Sequence, residues 1–85
     1  MKTIFLLMAQ YDGQAVIPLE NICEDFFGLT HQKFLRKLND GQIDLPVIRM
    51  EGSQKCRKGV HVQDLAEYIE RRRQAAQKEH QAFWG

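Results

Sequence analysis

The stretch Leu19-Glu20-Asn21-Ile22-Cys23-Glu24-Asp25-Phe26-Phe27-Gly28-Leu29-Thr30-His31-Gln32-Lys33-Phe34-Leu35-Arg36-Lys37-Leu38-Asn39 decides how the chain is read. Leu19, Ile22, Cys23 and Phe26 recur at i, i+3, i+4 and i+7, so a helix to about Phe27 would carry them as one apolar stripe. Pro18 suits the first turn of that helix, and Gly28 ends it because glycine takes positive φ without steric cost. Thr30 is then an N-cap whose hydroxyl accepts from a free backbone N–H. Leu29 before it and Phe34 after it have the spacing of a hydrophobic staple. A second helix over about 30–39 turns Phe34, Leu35 and Leu38 inward, and Gly41 stops it. Two short helices joined by Gly28-Leu29-Thr30 make a helix-turn-helix.

Downstream of Gly41 the hydrophobic period becomes alternating. From Pro46, Val47 and Arg49 face one way and Ile48 and Met50 the other; Gly52-Ser53-Gln54 turns, and Cys56–Val62 returns as a strand. That is a β-hairpin over about 47–62. Val62-Gln63-Asp64 then opens a helix with Leu65, Ala66 and Ile69 inward, continuing to about Ala82. Upstream, Thr3–Tyr11 fits a short helix capped by Thr3 and ended by Asp12-Gly13, or else a buried strand; its Leu, Met, Ala and Gln favour the helix. Ala15-Val16-Ile17 reads as a brief extended piece before Pro18. The expected fold is α+β, mainly α: a winged helix-turn-helix with a short hairpin wing and a long C-terminal helix. Residues 1–70 form the winged domain and 71–85 a helical extension.

At 85 residues the chain has room for one small domain, whose core is marginal because only about 60–65% of its surface is buried on folding. Its 44% hydrophobic and 27% charged residues are those of a soluble globular domain. Cys23 and Cys56 form no CxxC pair and read as reduced core thiols of a cytoplasmic protein. The apolar run Ile4–Ala9 is too short for a signal-peptide core, and no stretch is long enough to span a bilayer, so no membrane role is expected.

A net charge of +1 conceals a segregation. Residues 1–30 carry −3, residues 31–58 carry +4, and residues 59–85 balance. Local charge sets the potential a polyanion meets. With Phe34, Leu35 and Leu38 inward, Gln32, Lys33, Arg36 and Lys37 form an outward polar strip, and His31 joins Lys33 in a first turn where acids would be preferred. Cations there suit an external anion, since free N–H groups at a helix start already bind phosphate. Gln and Arg suit base edges, each worth about 1–3 kcal/mol of discrimination; Lys33 and Lys37 suit phosphates. The hairpin adds Ser53, Gln54, Lys55, Arg57 and Lys58, placed to follow a backbone or enter a minor groove. The blander reading makes these cations a solvated helix face and a hairpin edge guarded against aggregation. Arg71, Arg72 and Arg73 point in different directions and read as solvated surface, with Glu67 and Glu70 placed to pair with Arg71 and Arg73. Ile69, Ala76, Phe83 and Trp84 suggest a dimer surface along the last helix, which would set half-sites about 34 Å apart on a duplex.

Catalysis has little support. His31, His61 and His80 match no metal-ligand spacing, Asp40 and Asp44 belong to a turn, and neither a phosphate-binding glycine loop nor a nucleophile motif occurs. The expected catalytic, metal and cofactor sites are therefore none.

Phe5-Leu-Leu-Met-Ala-Gln-Tyr11, Val16-Ile-Pro-Leu-Glu20, Asp44-Leu-Pro-Val-Ile-Arg49, Gly52-Ser-Gln-Lys55, Lys58-Gly-Val-His61 and Asp64-Leu-Ala66 with Tyr68-Ile69 resemble the pyocin activator PrtN family. The resemblance spans most of residues 1–73. It implies a small phage- or bacteriocin-related protein that binds promoter DNA and activates transcription, with RNA polymerase as a further partner. It supports Lys33, Arg36, Lys37, Gln54 and Lys55 on the DNA side. The layout from Gly41 to Ile69 is also similar to excisionase-type and MerR-type winged modules, which insert a helix in the major groove with a wing beside it. Three functions follow: a sequence-specific activator, an excisionase-like factor that bends DNA, and a protein-binding adaptor acting through Phe83-Trp84.

Overall fold

Eight of the first ten residues wind into α1 (Thr3–Gln10) in the computed structural model, which describes residues 2–52 and 56–85. There follow β1 (Val16–Pro18), α2 (Leu19–Ile22, running on as a π-helical stretch over Cys23–Phe27), α3 (His31–Asn39), β2 (Ile48–Arg49), β3 (Lys58–His61) and α4 (Val62–Trp84). The protein is mainly helical, with a small antiparallel sheet of order β1-β3-β2 and a long C-terminal helix.

The start of the chain is helical, as its Leu, Met and Ala content favours, and Asp12 (φ 56) and Gly13 (φ 75) end it in left-handed geometry. Thr3 is not the cap. Lys2 holds that position without a side-chain bond, and the Thr3 hydroxyl instead donates to the carboxylate of Glu70 on α4. Pro18 likewise stands outside the helix it was expected to open: with ψ 144 it closes β1 and caps α2.

The expected stripe of α2 is rotated at its end. Leu19, Ile22 and Cys23 are buried, but Phe26 is 39% exposed. The π-helical stretch closes with i→i+5 bonds and wider turns, so each later residue falls short of its α-helical direction. Phe27 therefore turns inward, with its ring 4.9 Å from that of Phe34 and 5.9 Å from that of Tyr68.

The hairpin strands are shorter than their alternation suggested, because β2 is two residues and β3 four. What the alternation did not indicate is the third strand: β1 pairs antiparallel with β3, Val16 opposite His61 and Pro18 opposite Gly59. β3 is thus the centre of the sheet, bonded on one side to β1 and on the other to β2. α4 follows β3 with no intervening loop. His61 Nδ1 accepts from the Gln63 N–H (3.0 Å), and the Val62 N–H donates to the Ala15 carbonyl (2.8 Å). The core lies where α1, β1, α2, α3, β3 and the first half of α4 meet, around Phe34, Ile17, Leu19, Ile22, Leu65 and Val60. Cys23 belongs to it as expected; Cys56 is only half-buried, and both thiols are free.

Candidate nucleic-acid interface

α3 is set by its two ends. Gly28 adopts φ 61 and reverses the chain, and Thr30 Oγ1 accepts from the Lys33 N–H at 3.2 Å. Phe34 is fully buried, while Leu29, Leu35 and Leu38 are half-buried against the same core. This anchoring leaves the other side of the helix no choice. Gln32, Lys33, Arg36 and Lys37 all face solvent, as does His31 in the first turn. No acid occupies that turn, and Arg36 and Lys37 fall in the last one, where they also suit the helix dipole.

The second part of the basic segment comes close to the first. His31 and Leu35 of α3 line a shallow hollow of about 320 Å³ together with Leu19, Glu20, Cys56, Arg57 and Lys58. Arg57 and Lys58 border a second hollow of about 230 Å³ with Val16, Pro18, Glu20 and Met50. The start of α3 and the approach to β3 therefore form one surface. The pairing of β3 with β1 accounts for this, since β1 runs straight into α2. Ser53, Gln54 and Lys55, the expected tip, lie outside the described residues.

Charge pairing separates the cations further. Among the described residues, ion pairs join Arg71 to Asp44 (3.5 Å) and Arg73 to Glu70 (3.6 Å). Arg71 was expected to pair along its own helix. Instead it also donates to the Asp44 carbonyl (3.1 Å) and lies 5.8 Å from the centre of the Tyr68 ring, so it ties α4 to the loop before β2. Asp44 is thus an anchor rather than the turn residue expected: the turn lies at Asp40-Gly41, and Asp44 stands beyond it in the segment leading to β2. Lys33, Arg36, Lys37, Arg57 and Lys58 have no carboxylate within 4.0 Å among the described residues. Glu20, which borders both hollows, escaped sequence reasoning; only the approach of β3 to the start of α2 reveals it.

Two titrating groups are perturbed. Burial pushes the Tyr11 hydroxyl above its ordinary range, aided by its bond to Asp25 Oδ2 (2.6 Å) and that carboxylate's charge. Burial also raises the Cys23 thiol, which donates to the Glu20 carbonyl (3.3 Å). Both groups belong to the buried core. No cluster of three or more His, Cys, Asp or Glu placed to hold a metal occurs among the described residues, nor any helix long and apolar enough to cross a membrane.

The structure thus presents a small, mainly helical body with a cationic helix beside a short sheet. The family model described as pyocin activator protein PrtN matches residues 3–76, and the chain belongs to that family. The family is regulatory rather than catalytic and points to a role in transcriptional activation. No curated protein and no solved structure matches the chain.

Proposed function

We propose that the chain is a sequence-specific DNA-binding activator of pyocin or phage-like genes, working as a winged helix-turn-helix. α2 and its π-helical end form the first helix, α3 the recognition helix, and the hairpin over about 47–62 the wing. α3 enters the major groove of double-stranded promoter DNA. Gln32 and Arg36, one turn apart, read base edges, where each bidentate contact discriminates by about 1–3 kcal/mol. His31, Lys33 and Lys37 hold phosphates and fix the register. Arg57 and Lys58, with Ser53, Gln54 and Lys55 just before them in the sequence, follow the backbone or the minor groove.

The observation that carries this reading is the shared hollow of His31, Arg57 and Lys58, which joins two separate basic stretches of sequence into one surface. Footprinting the purified protein on promoter fragments from its own genome tests it. The expected result is protection of a defined site whose affinity falls steeply with salt, because cations that neutralise phosphates release counterions. Tandem occupancy with a strong bend and no gain in transcription would favour an excisionase-like role. Absence of salt-dependent affinity would leave an adaptor.

A further inference from the structure

α4 runs on past the body it helps to build. Its first half buries Val62, Leu65 and Ala66, and α1 lies along it as far as the Thr3–Glu70 bond. From Arg71 to Trp84 every residue except Ala75 is exposed, and the tip leaves Phe83 87% and Trp84 80% in solvent. The projecting half nevertheless has a patterned side. Ile69, Ala76 and Phe83 follow at seven-residue intervals and share one face. Arg73, Ala76, Gln77 and His80, at i, i+3, i+4 and i+7, line a shallow hollow of about 560 Å³ with Gln81. Four residues so spaced are the hole that receives a side chain of a facing helix. Arg72 and Glu79, also seven apart, lie along one edge of the same stripe.

We propose that two copies of the chain associate through this half of α4, antiparallel, with Ala76 on the two-fold axis. The pattern is palindromic about that residue. In this register Phe83 covers the partner's Ile69, and Ala76 meets its own counterpart, where small side chains let the helices approach. Arg72 lies beside the partner's Glu79, and the symmetry repeats the pair. A parallel arrangement would instead bring Arg72 beside the partner's Arg73, which faces it across the stripe, and would take Glu79 away from Arg72. On the opposite edge Arg73 is already held by Glu70 of its own helix. The partner's Trp84 arrives level with residue 68, beside the cleft of about 610 Å³ between α1 and α4 that Thr3, Ile4, Ala66 and Glu70 help to line. A second copy thus accounts for both the bare aromatic tip and the open cleft.

Sedimentation equilibrium of the full chain should show a concentration-dependent dimer. Arg72→Glu and Glu79→Arg should each shift it to monomer, and the double exchange should restore it. In a Cys56→Ser background, Ala76→Cys should form an intermolecular disulfide under mild oxidation. Phe83→Cys should not, because its mate lies about 21 Å away along the helix axis. None of these positions is in the core, and far-UV circular dichroism checks that each variant folds. A monomer up to millimolar concentration, a double exchange that fails to recover, or cross-linking at residue 83 as readily as at 76 would each overturn the register. None of these readouts involves DNA, so the association is tested apart from groove binding.

Discussion

Replacing Gly59 by alanine should loosen the sheet that joins the hairpin to the body. Gly59 lies in β3 opposite Pro18 of β1 and Ile48 of β2. A Cβ built there would meet Val16 Cγ1 at 2.6 Å and the Ile17 carbonyl oxygen at 2.7 Å. The valine methyl can rotate away, but the carbonyl is backbone, so β1 must move off β3. Overpacking of this kind costs about 1–3 kcal/mol. Alanine returns about 0.5 kcal/mol by restricting the unfolded chain, which leaves a net loss of about 1.5 kcal/mol. A chain of this length has a stability of about 4–13 kcal/mol, and each kcal/mol moves Tm by about 4–8 °C. Thermal melting followed by circular dichroism should therefore show a fall of about 6–12 °C. Adding Val16→Ala should recover only part of it, since the carbonyl contact remains. A Gly59→Ala protein that melts within about 2 °C of the wild type would refute the close approach of β1 and β3.

Arg36→Ala should lose about 1–3 kcal/mol on the preferred site and little on a mismatched one, whereas Lys37→Ala should weaken all sequences and lower the log–log salt slope by about 0.9; titrations on both duplexes at several salt concentrations separate the two. Thr30→Ala removes the cap of α3 and should cost about 1 kcal/mol in urea melts, with Thr30→Ser near wild type. Tyr11 carries a raised pKa, so its share of stability is whole below the ordinary phenol value of 10.0 and is lost as pH climbs above it. Tyr11→Phe should cost about 1 kcal/mol at neutral pH, and its unfolding free energy should decline less than that of the wild type above pH 10.0.

Local chemistry carried much of the architecture into the sequence. Thr30, Gly28 and the Phe34-Leu35-Leu38 spacing define α3 by themselves, because a cap, a left-handed stop and a stripe all act within a few residues. The π-helical end of α2 was hidden, since no residue preference in Cys23–Phe27 marks a wider turn; it shows only in the turning of Phe27 onto Phe34 and Tyr68. The β1–β3 pairing was hidden too. Three residues ending in proline carry no period, and their partner lies more than forty positions on. Gly59 shows the same limit: its spacing reads as plain strand, and only the neighbouring strand explains the missing side chain. The outward cations of α3 were legible from the residues that must be buried. Their adjacency to Arg57 and Lys58 was not, because it depends on that unseen pairing.

The way β3 enters α4 bears on how the two proposals fit together. His61 both ends the strand and caps the helix, and Val62 is bonded back to Ala15, so no flexible linker separates the hairpin from the projecting half. Residues 61 and 76 are fifteen apart, about 22 Å along the helix. A two-fold axis at Ala76 therefore sets the two strand–helix junctions about 45 Å apart along that direction, more than the roughly 34 Å of one duplex turn. The α3 helices stand nearer the axis than the junctions do, because Phe27, packed against Phe34 of α3, meets α4 at Tyr68. From residue 68 to residue 76 is about 12 Å. Under the two proposals together, the length of α4 between Tyr68 and Ala76, rather than a tether, would govern the spacing of the two α3 helices, and a stiff helix would make that spacing a single value. Under both proposals, a regulator built this way would select its paired sites by distance as well as by sequence.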